Sequence, residues 1–371
     1  MTKANLTRDN QYNPLELVES LLKRLSKKEA DILRRRFGLR ENSERPETPK
    51  ETLERIGGVY SITRERVRQI QNQSVSKLKK SLDDSGHREL IDLIEKTVAS
   101  LIREHGGIME EGHLLEKMLE GKSDDNLSRQ ASVFLMSEIL SDDIQKMKPT
   151  GDLKTSWKTG MAQVDFFRKT VREMVKIFKA ANRPLPTEEL LALVKQSDLY
   201  MANRDKLSDA VILSYLKATR AIKRNAFGEL GLSSWQTITP RRISDKIYLI
   251  FKKYGKPLHF TEIAKLINDH DFDKKKAHPA TVHNELILDK GRCVLIGRGI
   301  YALKEWGYKA GVIADILADI LKSRAKPMGK EELAEEALKQ RIIRKETVFL
   351  ALMNKEKFQR TSDGKYLLAE D

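Results

Sequence analysis

Apolar residues in this chain recur three and four positions apart in short runs, each run broken by glycine or by polar residues. That is the pattern of many small helices, each burying one stripe. Near the amino end, Ile32, Leu33 and Phe37 precede Leu53, Ile56, Val59 and Ile62, with Val67 and Ile70 closing a small core. Ser26-Lys27-Lys28-Glu29 has the form of a capping box, in which hydroxyl and carboxylate satisfy the first free amides of a helix. Thr48-Pro49-Lys50-Glu51 is a second, with proline at the first helical position. Between them, Arg40 to Glu47 is polar and reads as a loop. Leu53 to Ile62 (LERIGGVYSI) and Thr63 to Ile70 (TRERVRQI) then predict two helices about a turn at 57–61. Glycines there permit a positive φ and a close helix approach.

Beyond residue 85 the same grammar occurs four times: an apolar helix, a short turn, an acid-led second helix, a third helix, and a strand pair with glycine at its tip. The turns and second helices are GGIMEEGHLLEKM, NRPLPTEELLALV, GKPLHFTEIAKLI and AKPMGKEELAEEA. They begin at 106, 182, 255 and 325, intervals of 76, 73 and 70 residues. Acids gather in the first helical turn, where the helix dipole favours them. The endings also correspond, in GDLKTSW, GLSSW, GIYALKEW and GKYLL. A helix trio closed by a hairpin is a winged helix. The expected fold is therefore mainly α, a multi-domain array of helix-turn-helix and winged-helix modules with short β-hairpin wings. Its boundaries fall at 13–85, 86–160, 161–240, 241–308 and 309–371.

The helix beginning at Thr63 carries the candidate chemistry. Arg64, Glu65, Arg68 and Gln69 lie on one face, and these side chains suit base edges: arginine pairs guanine, glutamine pairs adenine, and glutamate accepts from cytosine. The plainer reading is a solvated helix in which Glu65 pairs with Arg68 and Gln69. Ser26 to Leu39, Glu51 to Ile70 and the continuation to Leu82 resemble region 4 of bacterial sigma-70 factors, over about 65 residues. The resemblance implies a module that recognises the promoter −35 element and grips the flap of the RNA polymerase β subunit. It implies that Arg64, Glu65, Arg68 and Gln69 read bases, and that Arg66 and Lys77 touch phosphates or polymerase. It covers only the carboxyl end of a complete sigma factor, so the expectation is a partial factor lacking the promoter-melting region.

Residues 246–308 resemble the HARE-type helix-turn-helix domain found in the delta subunit of Gram-positive RNA polymerase, in chromatin proteins and beside some restriction enzymes. Such domains serve both DNA and protein contacts. Charge divides the modules: the five stretches carry +6, −4, +5, +6 and +2. The acidic 86–160 repeat is expected to dock on polymerase or its neighbours. Lys274, Lys275 and Lys276, with Lys217, Arg220, Lys223 and Arg224, are candidates for DNA-backbone contacts, the alternative being solvated faces. Arg298, between two glycines at a wing tip, is placed to reach a minor groove, or is simply part of a hairpin turn. Trp157, Trp235 and Trp306 close their modules as core.

Composition narrows the classes. A net charge of +15 implies a polyanionic partner. One cysteine, Cys293, excludes a disulfide framework and Cys-rich zinc motifs. His259, His278, His283, Glu285 and Cys293 crowd one module, yet their spacing fits no metal motif, and capping or core roles suit them better. No apolar run approaches membrane-spanning length, and the protein is expected to be cytoplasmic. With no phosphate loop, paired carboxylates or nucleophile motif, no enzyme and no cofactor are expected. The reading is a DNA-binding, polymerase-associated transcription regulator with double-stranded DNA and core polymerase as partners. The rival readings are a sigma antagonist or delta-like accessory acting through protein contacts, and the DNA-binding partner of a restriction-type enzyme.

Overall fold

The computed structural model describes residues 13–40, 50–84, 86–140, 143–160, 162–270, 272–273, 275–289, 291–308, 311–340 and 344–369. Among them the chain is mainly α, with seventeen α-helices and antiparallel sheets of two or three short strands. Four helices come first: α1 (Pro14–Leu22), α2 (Lys27–Phe37), α3 (Leu53–Tyr60) and α4 (Arg64–Asp84). Asn13 caps α1 through its side chain, and Ser26 and Glu29 form the expected capping box of α2. Gly38, at φ 72°, ends α2 in the left-handed conformation.

Two local expectations change here. Thr48 and Pro49 lie outside the described residues, and α3 begins at Leu53 with Thr52 as its cap, accepting from the Arg55 amide. Lys50 and Glu51 therefore precede the helix. The turn glycines are themselves helical, and the positive φ falls on Ser61 at 52°. Gly57 serves the close approach instead: a Cβ there would lie 2.6 Å from the Ile62 carbonyl oxygen. Val59, expected in the core, is 51% exposed.

One arrangement then recurs four times: a helix, a short extended segment, two or more further helices, and a hairpin whose last strand pairs with the extended segment. In the first, these are α5 (Arg88–Glu104), β1 (Ile108–Glu110), α6 (Glu111–Met118), α7 (Asn126–Phe134), β2 (Ile144–Met147) and β3 (Ser156–Thr159), with α7 running into a π-turn over Leu135–Ile139. The sheet order is β1-β3-β2, with Met109 opposite Trp157. The second holds α8 (Val164–Ala181), α9 (Thr187–Lys195), α10 (Asp198–Met201), α11 (Asp209–Ala218), β4 (Ile222–Arg224) and β5 (Leu230–Leu232), with Leu185 bridging to Leu230. The third runs α12 (Ile243–Tyr254), β6 (Leu258–His259), α13 (Phe260–Asp269), α14 (Pro279–Leu288), β7 (Cys293–Gly297) and β8 (Ile300–Leu303) in sheet order β6-β8-β7. The fourth has α15 (Ile313–Arg324), α16 (Lys330–Gln340), α17 (Lys345–Ala351), β9 (Phe358–Arg360) and β10 (Tyr366–Leu368), with Met328 paired to Tyr366.

The chain forms two compact units, one of residues 1–183 with 187–222, the other of 184–186 with 223–371. In the first unit α1, α2 and the far end of α4 share one core with the first repeat. Leu17, Val18, Leu21, Leu22, Leu33, Leu78 and Leu82 are buried with Ile91, Ile94, Val98, Ile102, Phe134 and Ile139. Phe37 meets Phe134 edge to face at 4.9 Å. A separate small cluster of Ile32, Ile56 and Val67 holds the α3–α4 corner. Helix α11 packs on the β1 turn, where the Tyr215 hydroxyl donates to the Gly106 carbonyl at 2.8 Å and the Ser214 hydroxyl to that of Ile108 at 3.1 Å.

In the second unit, Ile250, Phe251, Leu258, Ile263, Val282, Leu286 and Leu303 form the core of the third repeat, and Phe227 packs against its rim beside His270 and Phe272. Lys246, only 2% exposed, pairs with Asp273 at 2.6 Å. The last repeat has its own core around Leu317, Met328, Leu333 and Val348. Trp157 is fully buried, whereas Trp235 and Trp306 are half-buried. Among the described residues, no helix is long and apolar enough to cross a membrane.

Candidate nucleic-acid interface

Helix α4 is aimed by its own buried stripe. The Thr63 hydroxyl accepts from the Arg66 amide at 3.2 Å and opens the helix, while Val67 and Ile70 turn towards Ile32 and Ile56. The opposite side, Arg64, Glu65, Arg66, Arg68 and Gln69, is exposed. The residues singled out from the sequence thus share one surface, and they pair with one another. Arg68 donates to both Glu65 carboxylate oxygens, at 2.9 and 2.7 Å. Arg66 donates to the Gln69 side-chain oxygen at 3.2 Å, and Arg64 reaches Glu54 of α3 at 2.9 Å. The hydrogen bonds from Arg68 hold the Glu65 carboxyl below its ordinary pKa, and Glu65 raises that of Arg68 in turn.

Both readings of this helix therefore describe the same geometry. A donor row suited to base edges is kept ordered, in the free protein, by ion pairs within its own surface. Exposed pairs of this kind are weak because solvent screens them, so a base or phosphate can replace the partner at little cost. Glu54 had no sequence signal to single it out, because only the corner geometry brings α3 against the start of α4. Lys77 sits one face away and is committed to Glu29, tying α4 to α2. That contact, with the Ser26 hydrogen bonds, lowers the Glu29 pKa to about 2.

The remaining candidates lie in other elements. Lys274 lies outside the described residues. Lys275 and Lys276 are exposed beside Asp273, whose carboxylate accepts from the Lys275 amide at 3.3 Å. Arg298 is exposed in the β7–β8 turn before Gly299, at φ 69°, where a Cβ would lie 2.5 Å from the His259 ring nitrogen. Lys217 pairs with Glu116 at 3.2 Å, and Arg224 donates to the Gly228 carbonyl at 2.6 Å. His283 lies against Phe260 at 4.5 Å and meets Tyr301 edge to face at 6.0 Å, and burial pushes the Cys293 thiol up to about 12. Among the described residues, no group of three such side chains is placed to hold a metal ion.

Residues 21–80 match the family described as sigma-70, region 4. An RNA polymerase sigma factor SigA of Listeria monocytogenes is 38% identical over 80 residues, 22% of this chain and 19% of that protein. One from Nostoc is 38% identical over 76 residues, 20% of this chain and 18% of its own length. The chain thus spans about a fifth of the length of the curated relatives it matches.

Proposed function

We propose that the sigma-70 region 4 module at 21–80 makes this chain a DNA-binding, RNA polymerase-associated transcription regulator of the cytoplasm, a partial sigma-like factor and not an enzyme. Arg64, Glu65, Arg68 and Gln69 read a −35-like element in the major groove, and Arg66 holds the backbone. The module also engages core polymerase, with the β flap as its contact. The repeats at 86–371, read as winged helices with the third of HARE type, add DNA and protein contacts and raise the overall affinity through linked sites. The observation that carries this reading is the α4 surface itself, with every base-reading side chain exposed and ordered on one face.

The test is binding-site selection from random duplexes by the full chain. Arg68→Ala should relax the preference at one base pair by about 1–3 kcal/mol and leave the others intact. An unchanged selected sequence rules out reading by this helix. Retention of core polymerase by the full chain without DNA tests the second half of the proposal.

A protein-contact role for the repeats has its own support. In the first unit the last helix of the second repeat, α11, which stands where a reading helix would, spends Tyr215 and Ser214 on the β1 turn. Within the chain, that face is turned to a neighbouring segment, which supports protein contacts as a use for it. Polymerase binding that persists while the selected duplex is ignored would favour the accessory reading.

A further inference from the structure

The fourth repeat carries an open groove that no part of the reading above uses. It has a volume of about 620 Å3 and lies between the end of α17 and the β9–β10 hairpin. Its floor is apolar: Leu352 and Phe358, both buried in the repeat's own core, with half-buried Tyr366 beside them. Met353 lines it while 72% exposed, and Leu350, three residues earlier on α17, is 68% exposed. Lys355 and Arg360 are the charged groups of the lining, and both are exposed. Neither forms an ion pair among the described residues. The exposed acid between them, Glu356, lies off the lining, and nearby Lys357 is already spent on Asp315.

The groove runs beside a strand edge. Among the described residues β9 pairs with β10 alone, while the far side of β10 is taken by Met328, which exchanges backbone hydrogen bonds with Tyr366 at 3.0 and 2.8 Å. The ladder bonds of β9 fall on alternate residues. The Thr361 amide donates to the Lys365 carbonyl at 2.8 Å, and the Ala369 amide donates to the Lys357 carbonyl at 3.0 Å. The register sets Arg360 opposite Tyr366 and Phe358 opposite Leu368. Residues 357, 359 and 361 therefore turn their peptide groups to β10, and Phe358 and Arg360 turn theirs to the open edge. The Phe358 amide is taken by the Asn354 carbonyl at 3.0 Å, which leaves the Phe358 carbonyl and the Arg360 amide and carbonyl facing outward. The corresponding edge strand of the third repeat, β7, is broken by a bulge between Leu295 and Gly297, a common way of blunting an edge, whereas β9 keeps a regular register.

We infer that the β9 edge and its groove form a docking site for an extended acidic segment of a partner protein, added as a further strand. The incoming backbone pairs with the Arg360 amide and carbonyl, alternate apolar side chains cover Leu352, Phe358 and Tyr366, and carboxylates meet Lys355 and Arg360. Charge complementarity selects this occupant. The two cations repel a second copy of the same edge and any basic chain. Duplex phosphate would meet the cations but leave the apolar floor and the strand edge unused. The inference rests on the protein-contact role proposed for the repeats and needs no base reading by α4.

The probe is a fluorescein-labelled peptide of alternating glutamate and valine, titrated with the full chain. Fluorescence anisotropy reads binding, and amide hydrogen exchange is followed across β9. The peptide should bind saturably and slow exchange of the Arg360 amide, which faces outward in the free chain. The same peptide with N-methylated amides, unable to pair as a strand, should not bind. Lys355→Glu with Arg360→Glu, both at exposed positions, should weaken binding about tenfold, the scale of two exposed ion pairs lost together. Binding that leaves the Arg360 amide unprotected, or that survives the double charge reversal unchanged, overturns the site, as does no binding at all. Displacement of the peptide by a duplex of random sequence, with the Arg360 amide still protected, assigns the edge to nucleic acid and overturns it too. Retention of core polymerase without peptide binding overturns this groove alone. Peptide binding without retention of core polymerase upholds the groove and counts against the polymerase half of the proposed function.

Discussion

Single residues set how the free interface is charged. Glu29 shows it most directly, because one carboxylate caps α2, accepts from the Ser26 amide at 3.0 Å and holds Lys77 of α4. Its pKa falls from 4.5 to about 2, led by the Lys77 hydrogen bond. A depressed carboxylate stabilises the fold above its unfolded pKa and loses that contribution as pH falls through the folded value. Thermal melting between pH 7 and 2 should therefore show the unsubstituted chain above Glu29→Gln at neutral pH. The gap should start to close near 4.5 and vanish at about 2. A pH-independent gap would mean that the ion pair contributes nothing and the loss is local packing. Arg68 belongs to the same scale. Its pairing with Glu65 follows from helical spacing alone, whereas that of Arg64 with Glu54 needs the corner.

At the scale of elements, the corner between α3 and α4 shows what residue type alone leaves open. Two adjacent glycines look equivalent in sequence, and tertiary contact separates them. A Cβ at Gly57 would sit 2.6 Å from the Ile62 carbonyl oxygen, while one at Gly58 would have nothing within 4 Å. Gly57→Ala should cost about 1–3 kcal/mol as the backbone shifts to relieve the clash. Gly58→Ala, in a helix and unopposed, should stabilise by about 0.5–1 kcal/mol. Urea unfolding of the two variants checks the pair, and equal effects would mean that neither contact matters. The positive φ went to Ser61 because Gly57 and Gly58 hydrogen-bond onward as the last turn of α3, their carbonyls accepting from the Ser61 amide. Helix starts were legible where the cap was local, as at Ser26, and misplaced where tertiary contact intervened. Glu51, read as part of a capping box, is instead drawn to Arg35 of α2 at 3.1 Å.

For the whole molecule, the α4 surface proposed to read DNA and the core that supports it belong to different parts of the chain. The outer half of α4 is exposed, but Leu78 and Leu82 at its far end share a core with Phe134 and Ile91 of the first repeat. Phe134→Ala should destabilise the unit by about 3–5 kcal/mol. It should lower hydrogen-exchange protection in α4 as well as in α7, because both open with one core. Loss confined to α7 would show that the leading helices fold independently. The same packing implies that a fragment ending at residue 85 exposes Leu17, Leu21, Leu22 and Leu78, which makes point variants of the full chain the sounder probe of the reading helix.

The amino-acid sequence by itself determined most of the elements and which side chains share the exposed face of α4. Helical spacing, caps and the four-fold recurrence are local patterns, and side chains three and four apart on a helix share a face in any tertiary setting. Only the tertiary structure decided which faces stay free. It buried the outer side of α11 against β1, merged the leading helices with the acidic repeat, and left the edge of β9 open beside Lys355 and Arg360. The reason is physical: an apolar stripe specifies that it must be covered but not by what, and the cover is chosen by shape and contact among segments distant along the chain.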